Sequence, residues 1–288
     1  MPPDLRPSRP LTDLLRAPRG DVDVRAIATD ATDGYPGEGK SDAERYLVGL
    51  EPLLSDHQER LFANGREHPE AAPRVLLILQ GMDTSGKGGV LRNAIGMVDP
   101  QGVRITSFKK PTAEELARHF LWRIEQALPG RGLIGIFDRS QYEDVLVGRV
   151  DALVDESEIG TRYDEINAFE RRLVDEGCTV LKCFLHISSD EQRDRLAERL
   201  ERADKHWKYN PGDVDARAKW DDYMDAYDAA LSRCNPDHAP WYVVPSDRKW
   251  YRNWAVAELL LEHLEALGLD WPRADFDVEL EKRRVAAS

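Results

Sequence analysis

Residues 74–90 read RVLLILQGMDTSGKGGV. The first seven form an unbroken apolar run apart from their ends, the pattern of a strand covered on both faces. The next residues, Gly81 to Lys87, fit G-x-x-x-x-G-K, and a helical pattern follows. Strand, glycine loop and helix in that order form a phosphate cradle: glycines allow the tight turn that points backbone N–H groups at phosphate oxygens. The following helix adds its N-terminal dipole. Gly81, Thr84, Ser85, Gly86, Lys87, Gly88 and Gly89 are therefore the expected phosphate contacts, with Lys87 supplying a mobile positive charge. The position after the lysine usually carries a Ser or Thr that ligates magnesium. Here it is Gly88. Asp83, inside the loop, is the expected replacement, because carboxylate oxygens suit a hard Mg²⁺ ion.

Working outward, apolar runs over 103–108, 133–138, 179–187 and 241–245 predict four further strands. Helical patterns lie near 87–97, 112–128, 157–176, 189–204, 213–233 and 249–267. Alternating strands and helices predict an α/β fold with a central parallel sheet, whose ligands bind at the carboxyl ends of the strands. Residues 1–40 are rich in Pro, Gly and Asp and predict a loosely ordered N-terminal arm. Ser41 and Glu44 read as a capping box that opens a helix carrying Leu47, Leu50, Leu54 and Leu61. Residues 41–288 are expected to form one domain with that N-terminal helix, a lid near 190–215 and a C-terminal helix.

The chain has 288 residues, 41% hydrophobic and 32% charged, with a net charge of −13. That balance argues against bulk nucleic-acid binding, which needs a basic footprint. It leaves room for an anionic substrate in a locally basic cleft. No run is long and apolar enough to span a bilayer, and MPPDLRPSRP has no apolar signal core, so a cytoplasmic protein with no membrane partner is expected. Cys178, Cys183 and Cys234 show no disulfide or zinc spacing and read as buried free thiols.

The strand at 133–138 ends in Asp138-Arg139-Ser140. An acid at the end of a strand in the same sheet is a Walker B-like placement, able to hold Mg²⁺ or act as a base, and Arg139 can clamp a phosphate. Arg195, Arg199 and Arg202 recur on one helix face, followed by Lys205 and Lys208. They read either as a solvated helix or as a lid that lays cations over phosphates. Lys109, Lys110, Arg248, Lys249 and Arg252 are further cations near strand ends. Trp220, Tyr223 and Tyr227 have helical spacing and read as core packing before a base-stacking shelf.

Four segments in order, GMDTSGKGG after LLILQ, SFKKPTAEELARHFLWR, IGIFDRSQYEDVLVGRV and EQRDRLAERLERADKHWKY, resemble the polyphosphate kinase 2 family over about Leu47 to Leu267. The resemblance implies a P-loop kinase fold, a three-layer α/β/α arrangement similar to thymidylate kinase, with a helical lid. It implies transfer between inorganic polyphosphate and a nucleotide, AMP to ADP or ADP to ATP, with guanine nucleotides as an alternative, and dependence on Mg²⁺ or Mn²⁺. It places Asp83, Lys87, Asp138 and Arg139 in catalysis, and Arg195, Arg199, Lys205, Lys208 and Arg248 on phosphates. It assigns Lys109, Glu143 and Arg149 to the nucleotide, and Asp83, Asp138 and Glu143 to the metal. It further implies a homo-oligomer, a dimer or tetramer. Tyr142-Glu143-Asp144-Val145-Leu146 after D-R-S-Q, with SFKKPT, is similar to the subgroup using both AMP and ADP; Gly88-Gly89 departs from the Asp-Gly often found there. The competing readings are an ATP-dependent nucleoside monophosphate kinase of the same fold and a non-catalytic nucleotide switch. The guanine-specificity tetrapeptide N/T-K-x-D that many switches carry is missing.

Overall fold

Five parallel strands, β1 (Arg74–Gln80), β2 (Val103–Ser107), β3 (Ile134–Asp138), β4 (Cys178–His186) and β5 (Trp241–Pro245), pair in the order β2-β3-β1-β4-β5. This computed structural model describes residues 6–288; the first five residues of the expected arm lie outside that range. The twelve α-helices of the described residues are α1 (Leu11–Leu14), α2 (Lys40–Glu67), α3 (Lys87–Asn93), α4 (Ala113–Leu116), α5 (Trp122–Ala127), α6 (Glu143–Val150), α7 (Glu156–Asp175), α8 (Ser189–Glu201), α9 (Gly212–Ala218), α10 (Trp220–Arg233), α11 (Lys249–Ala266) and α12 (Val278–Ala286).

The period-2 geometry of β1 divides its side chains between two layers. Val75, Leu77 and Leu79 pack with Leu50, Leu54 and Leu61 of α2 and with the buried face of α11. Leu76 and Ile78 pack with Ile124 of α5 and with Phe169 and Leu173 of α7. The result is a three-layer α/β/α sandwich. The register matters for function. Leu79 of β1 lies opposite Asp138 of β3 and Cys183 of β4, so the loops leaving the central strands emerge side by side.

The segment before α2 corrects the expectation of a loose arm. Leu11 and Val24 are fully buried, and Leu15 and Val22 nearly so. Ala17 N donates to Trp241 O at 2.8 Å, and Val243 N donates to Leu15 O at 2.8 Å. This antiparallel bridge covers the free edge of β5, a position that would otherwise present unpaired backbone groups. Glu262 on α11 accepts from the backbone N–H of Leu11 at 2.7 Å and of Thr12 at 2.9 Å, and so caps α1. The expected capping box is also displaced. α2 starts at Lys40, and the capping carboxylate is Asp42, which accepts from Gly39 N, Glu38 N and the Tyr35 hydroxyl. Tyr35 fixes that register by packing edge-on against Trp250 and Trp254.

Two predicted helices are broken. The 112–128 helix becomes α4 and α5, with Phe120 between them wedged against two core clusters. The 213–233 helix becomes α9 and α10, with a break at Lys219. The helix α6 was not predicted. All three cysteines are free and buried, and burial pushes the Cys178 and Cys234 thiols up to about 12.

Arg6 pairs with Glu258 at 2.6 Å and Glu265 at 2.8 Å. Burial pushes the Glu258 carboxyl up from 4.5 to about 7, with Arg6 opposing. Its folded state therefore binds a proton more readily than its unfolded state, so the stability from this group falls as pH rises through that window. Thermal unfolding midpoints of the wild type should carry that decline between pH 4.5 and 7, and Glu258→Gln should flatten it. An unchanged slope in the variant would place the pH dependence elsewhere.

Candidate active site

The loop 81–89 leaves β1 with left-handed backbone at Thr84 (φ 66°) and Gly86 (φ 110°). A Cβ on Gly86 would lie 1.8 Å from Arg252 Nη1, so only glycine fits there. Lys87 folds back over the loop and donates to Gly81 O at 2.8 Å. Burial lowers its pKa first and Arg139 adds to this, while Asp83, Asp138 and Glu143 oppose the shift. All five charged groups therefore share one field.

Across the sheet, Arg139 follows Asp138 in the left-handed region (φ 67°), while its N–H still reaches Leu79 O at 3.1 Å. A bulky residue in that region is strained, and the surroundings must hold it there. Arg139 Nη2 lies 2.8 Å from Asp83 Oδ1, and Nη1 lies 3.6 Å from Glu143. Burial alone would lower its pKa, but Glu143 and Asp83 raise it above the usual value. Behind the turn sits a fully buried network. Lys182 donates to Glu170 at 2.6 Å, to Cys234 O at 2.7 Å and to the Tyr142 hydroxyl at 3.0 Å. Glu170 in turn accepts from Gln141 at 3.0 Å and Tyr142 at 2.8 Å. This network anchors the two residues that follow Ser140 and so fixes the turn carrying Asp138 and Arg139.

The expected lid arginines divide by role. Arg195 is buried, and every N–H it owns meets a protein acceptor. Nε donates to Glu191, Nη1 to the carbonyls of Thr84 and Ser85, and Nη2 to those of Ser246 and Asp247. It grips the loop from beneath, so the direct phosphate contact implied by the resemblance is not its geometry here. Arg252 joins it, donating to Ser85 O at 3.0 Å. Burial, then Arg195, pushes Arg252 down to about 9. Arg199 is held by Lys208 O at 2.9 Å and Asp213 at 3.1 Å. Lys205 pairs with Glu198. The Lys208 ammonium lies 4.9 Å over the Trp207 ring. Arg248 donates to Asp30 O at 2.8 Å. The three residues expected at the nucleotide separate: Glu143 lies at the loop, Lys109 is exposed, and Arg149 at the far end of α6 pairs with Glu156 at 3.4 Å.

The cleft above the loop is lined by Asp83, Arg139, Glu143, Leu146, Tyr223 and Tyr227. Tyr227 is a core residue as well as a wall of the cleft. Sequence reasoning missed Asp213, a buried carboxylate raised first by burial and then by Asp83. It also missed Gln192, which donates to Asp83 O at 3.1 Å. Neither residue has a motif; they arrive from α8 and α9 through tertiary packing. The Thr84 and Ser85 hydroxyls are buried without a protein partner, an arrangement that costs free energy.

A glycine loop at the end of β1 and an acid–arginine turn at the end of neighbouring β3 define a P-loop phosphotransferase of the kinase fold. The family model for polyphosphate kinase 2 matches residues 49–270. The chain is 45% identical over 258 residues to an AMP/ADP-polyphosphate phosphotransferase of Meiothermus ruber, covering 90% of this chain and 94% of the relative. It is 41% identical to an ADP-polyphosphate phosphotransferase of Rhodopseudomonas palustris, covering 82% and 83%. The crystal structure of polyphosphate kinase 2 from Arthrobacter aurescens TC1 superposes with a TM-score of 0.94 at 47% identity, covering 98% of each chain. The chain belongs to the polyphosphate kinase 2 family.

Two substitutions test this geometry. Gly86→Ala should displace the loop from Arg252, lower kcat/KM by about 10²-fold and also lower the unfolding midpoint, because the left-handed backbone and the buried guanidinium leave no room for a Cβ; near-wild-type turnover and stability would show that the loop tolerates the shift. Lys182→Met should cost roughly 3–5 kcal/mol in denaturant unfolding by stranding Glu170, and Lys182→Met/Glu170→Leu should recover much of it. A double variant no more stable than the single would contradict that account.

Proposed function

We propose that this chain transfers a phosphoryl group between inorganic polyphosphate and an adenine nucleotide, taking AMP to ADP and ADP to ATP. The observation that carries the reading is the loop itself. Its carbonyls are tied down by two buried guanidiniums, its hydroxyls are unpaired, and Lys87 and Arg139 stand over it. The names of the relatives supply the substrate class. An ATP-dependent monophosphate kinase of the same fold is not favoured, because the relatives described above are polyphosphate phosphotransferases.

In this reading the loop amides and Lys87 hold the phosphates at the reacting centre. Arg139 exchanges its Asp83 partner for oxygens of the transferring group and neutralises charge there; Lys205 and Lys208 extend the positive track along the lid. In-line phosphoryl transfer asks little covalent chemistry of the protein, so positioning and electrostatics do most of it. The donor set fits a hard cation: Asp83, Asp138 and Glu143 are carboxylates within one shared field. Mg²⁺ is usually held by one or two carboxylates plus substrate phosphates. Bound there, Mg²⁺ or Mn²⁺ would neutralise charge on donor and acceptor oxygens. No described helix is long and apolar enough to cross a membrane, and a cytoplasmic homo-oligomer is part of the same reading.

A coupled assay with long-chain polyphosphate and Mg²⁺, offering AMP and ADP separately, should yield ADP and ATP. Lys87→Ala should lower kcat by about 10²–10³-fold without loss of fold. Turnover with ATP plus a monophosphate, and none with polyphosphate, would overturn the donor assignment.

A further inference from the structure

Three cations from two parts of the chain converge on one carboxylate. Glu198 stands on α8 one turn beyond Arg195, the residue that grips the phosphate loop, and so lies roughly 5 Å further along the helix axis. Lys205, in the 3₁₀ turn Ala203–Lys208, pairs tightly with its Oε1. Arg202 Nη1 approaches the same oxygen at 3.4 Å, while its nearer partner is Asp204, 2.8 Å from Nη2. Lys249, the first residue of α11, lies 3.4 Å from Oε2. Lys205 and Arg202 belong to the lid, whereas Lys249 belongs to the body beside the end of β5. Glu198 therefore ties lid to body with a single negative charge set among cations. The hydrogen bond from Lys205, and then the charge of Lys249, hold its carboxyl down at about 2, so it is ionised throughout the working range. Its neighbour Glu201, also on α8, is exposed and makes no ion pair among the described residues.

We propose that Glu198 is a built-in competitor for the polyphosphate track: in the free enzyme it occupies Lys205 and Lys249, and a long polyphosphate must displace it to engage them. The inference rests on the reading that these lid cations face the polyanion. A phosphate chain seated in the loop and running along α8 meets this cluster next. Each exposed ion pair is worth little alone, so displacement is readily reversible. The carboxylate thus tempers the grip on a long polyanion, which could otherwise stay bound in one register between transfers. A nucleotide bound at the loop does not need the cluster and is indifferent to Glu198.

The test compares the steady-state kinetics of full-length wild type, Glu198→Gln, Glu201→Gln, Lys205→Ala and Lys249→Ala with long-chain polyphosphate and AMP. Glu198→Gln should lower the KM for polyphosphate about three- to tenfold and leave the KM for AMP within about twofold. Glu201→Gln, which removes the same charge without the contacts, should leave both within about twofold. In a Lys205→Ala background the effect of Glu198→Gln should shrink, because the two residues form one interaction. An unchanged or raised polyphosphate KM in Glu198→Gln, or an equal drop in Glu201→Gln, overturns the proposal. If Lys205→Ala and Lys249→Ala raise that KM while Glu198→Gln fails to lower it, the inference alone falls. If neither lysine variant changes it, the lid reading falls and takes the inference with it.

Discussion

Arg195 donates to five protein acceptors, and two of them are carbonyls of the phosphate loop. A trans peptide points its C=O and N–H in opposite directions. Fixing the Ser85 carbonyl on Arg195 and Arg252 therefore turns the Gly86 N–H the other way, toward the cleft. Gln192 does the same for the Asp83 carbonyl and so for the Thr84 N–H. The loop's shape is thus set from below, by side chains bound to its carbonyls. The arrangement is electrostatically costly. Two buried guanidiniums lie side by side, and Arg252 is pushed down to about 9 in consequence. Positive charge set beneath the loop favours an anion above it before any side chain on the upper face is considered.

The upper face is balanced by carboxylates. Arg139 is held by Asp83 and Glu143, Arg199 by Asp213, Arg202 chiefly by Asp204, and Lys205 and Lys249 by Glu198. A protein of net charge −13 can therefore build a basic track without a basic surface. Each of these cations is held in place by an internal anion. The same balance explains why the net charge is a poor guide to the ligand: the local field decides.

Much of this was legible in the chain. The run Arg74–Gln80 followed by a glycine loop dictated a central buried strand, and its neighbours followed from alternation. Asp83, Lys87, Asp138 and Arg139 converge because the loops leaving adjacent parallel strands must emerge together. What periodicity could not supply is tertiary. Leu11, Leu15 and Val24 are single apolar residues in a proline-rich stretch, so nothing local distinguishes them from a loose arm, yet they cover the edge of β5. The spacing of Arg195, Arg199 and Arg202 placed all three on one helix face, but α8 ends at Glu201 and Arg202 is in extended backbone beyond it; nor could spacing tell an arginine aimed at a backbone carbonyl from one aimed at phosphate. Asp213 and Gln192 carry no motif, and only packing brings them to the site.

The central claim is that the loop is held ready by Arg195 and Arg252 before substrate arrives. Crystal structures with and without bound tripolyphosphate test it most directly. The account predicts that the backbone of residues 81–89 shifts by less than about 1 Å on binding, while Lys205 and Lys249 leave Glu198. A loop that rearranges by more than about 2 Å, or that releases Arg195 to contact phosphate, would contradict it.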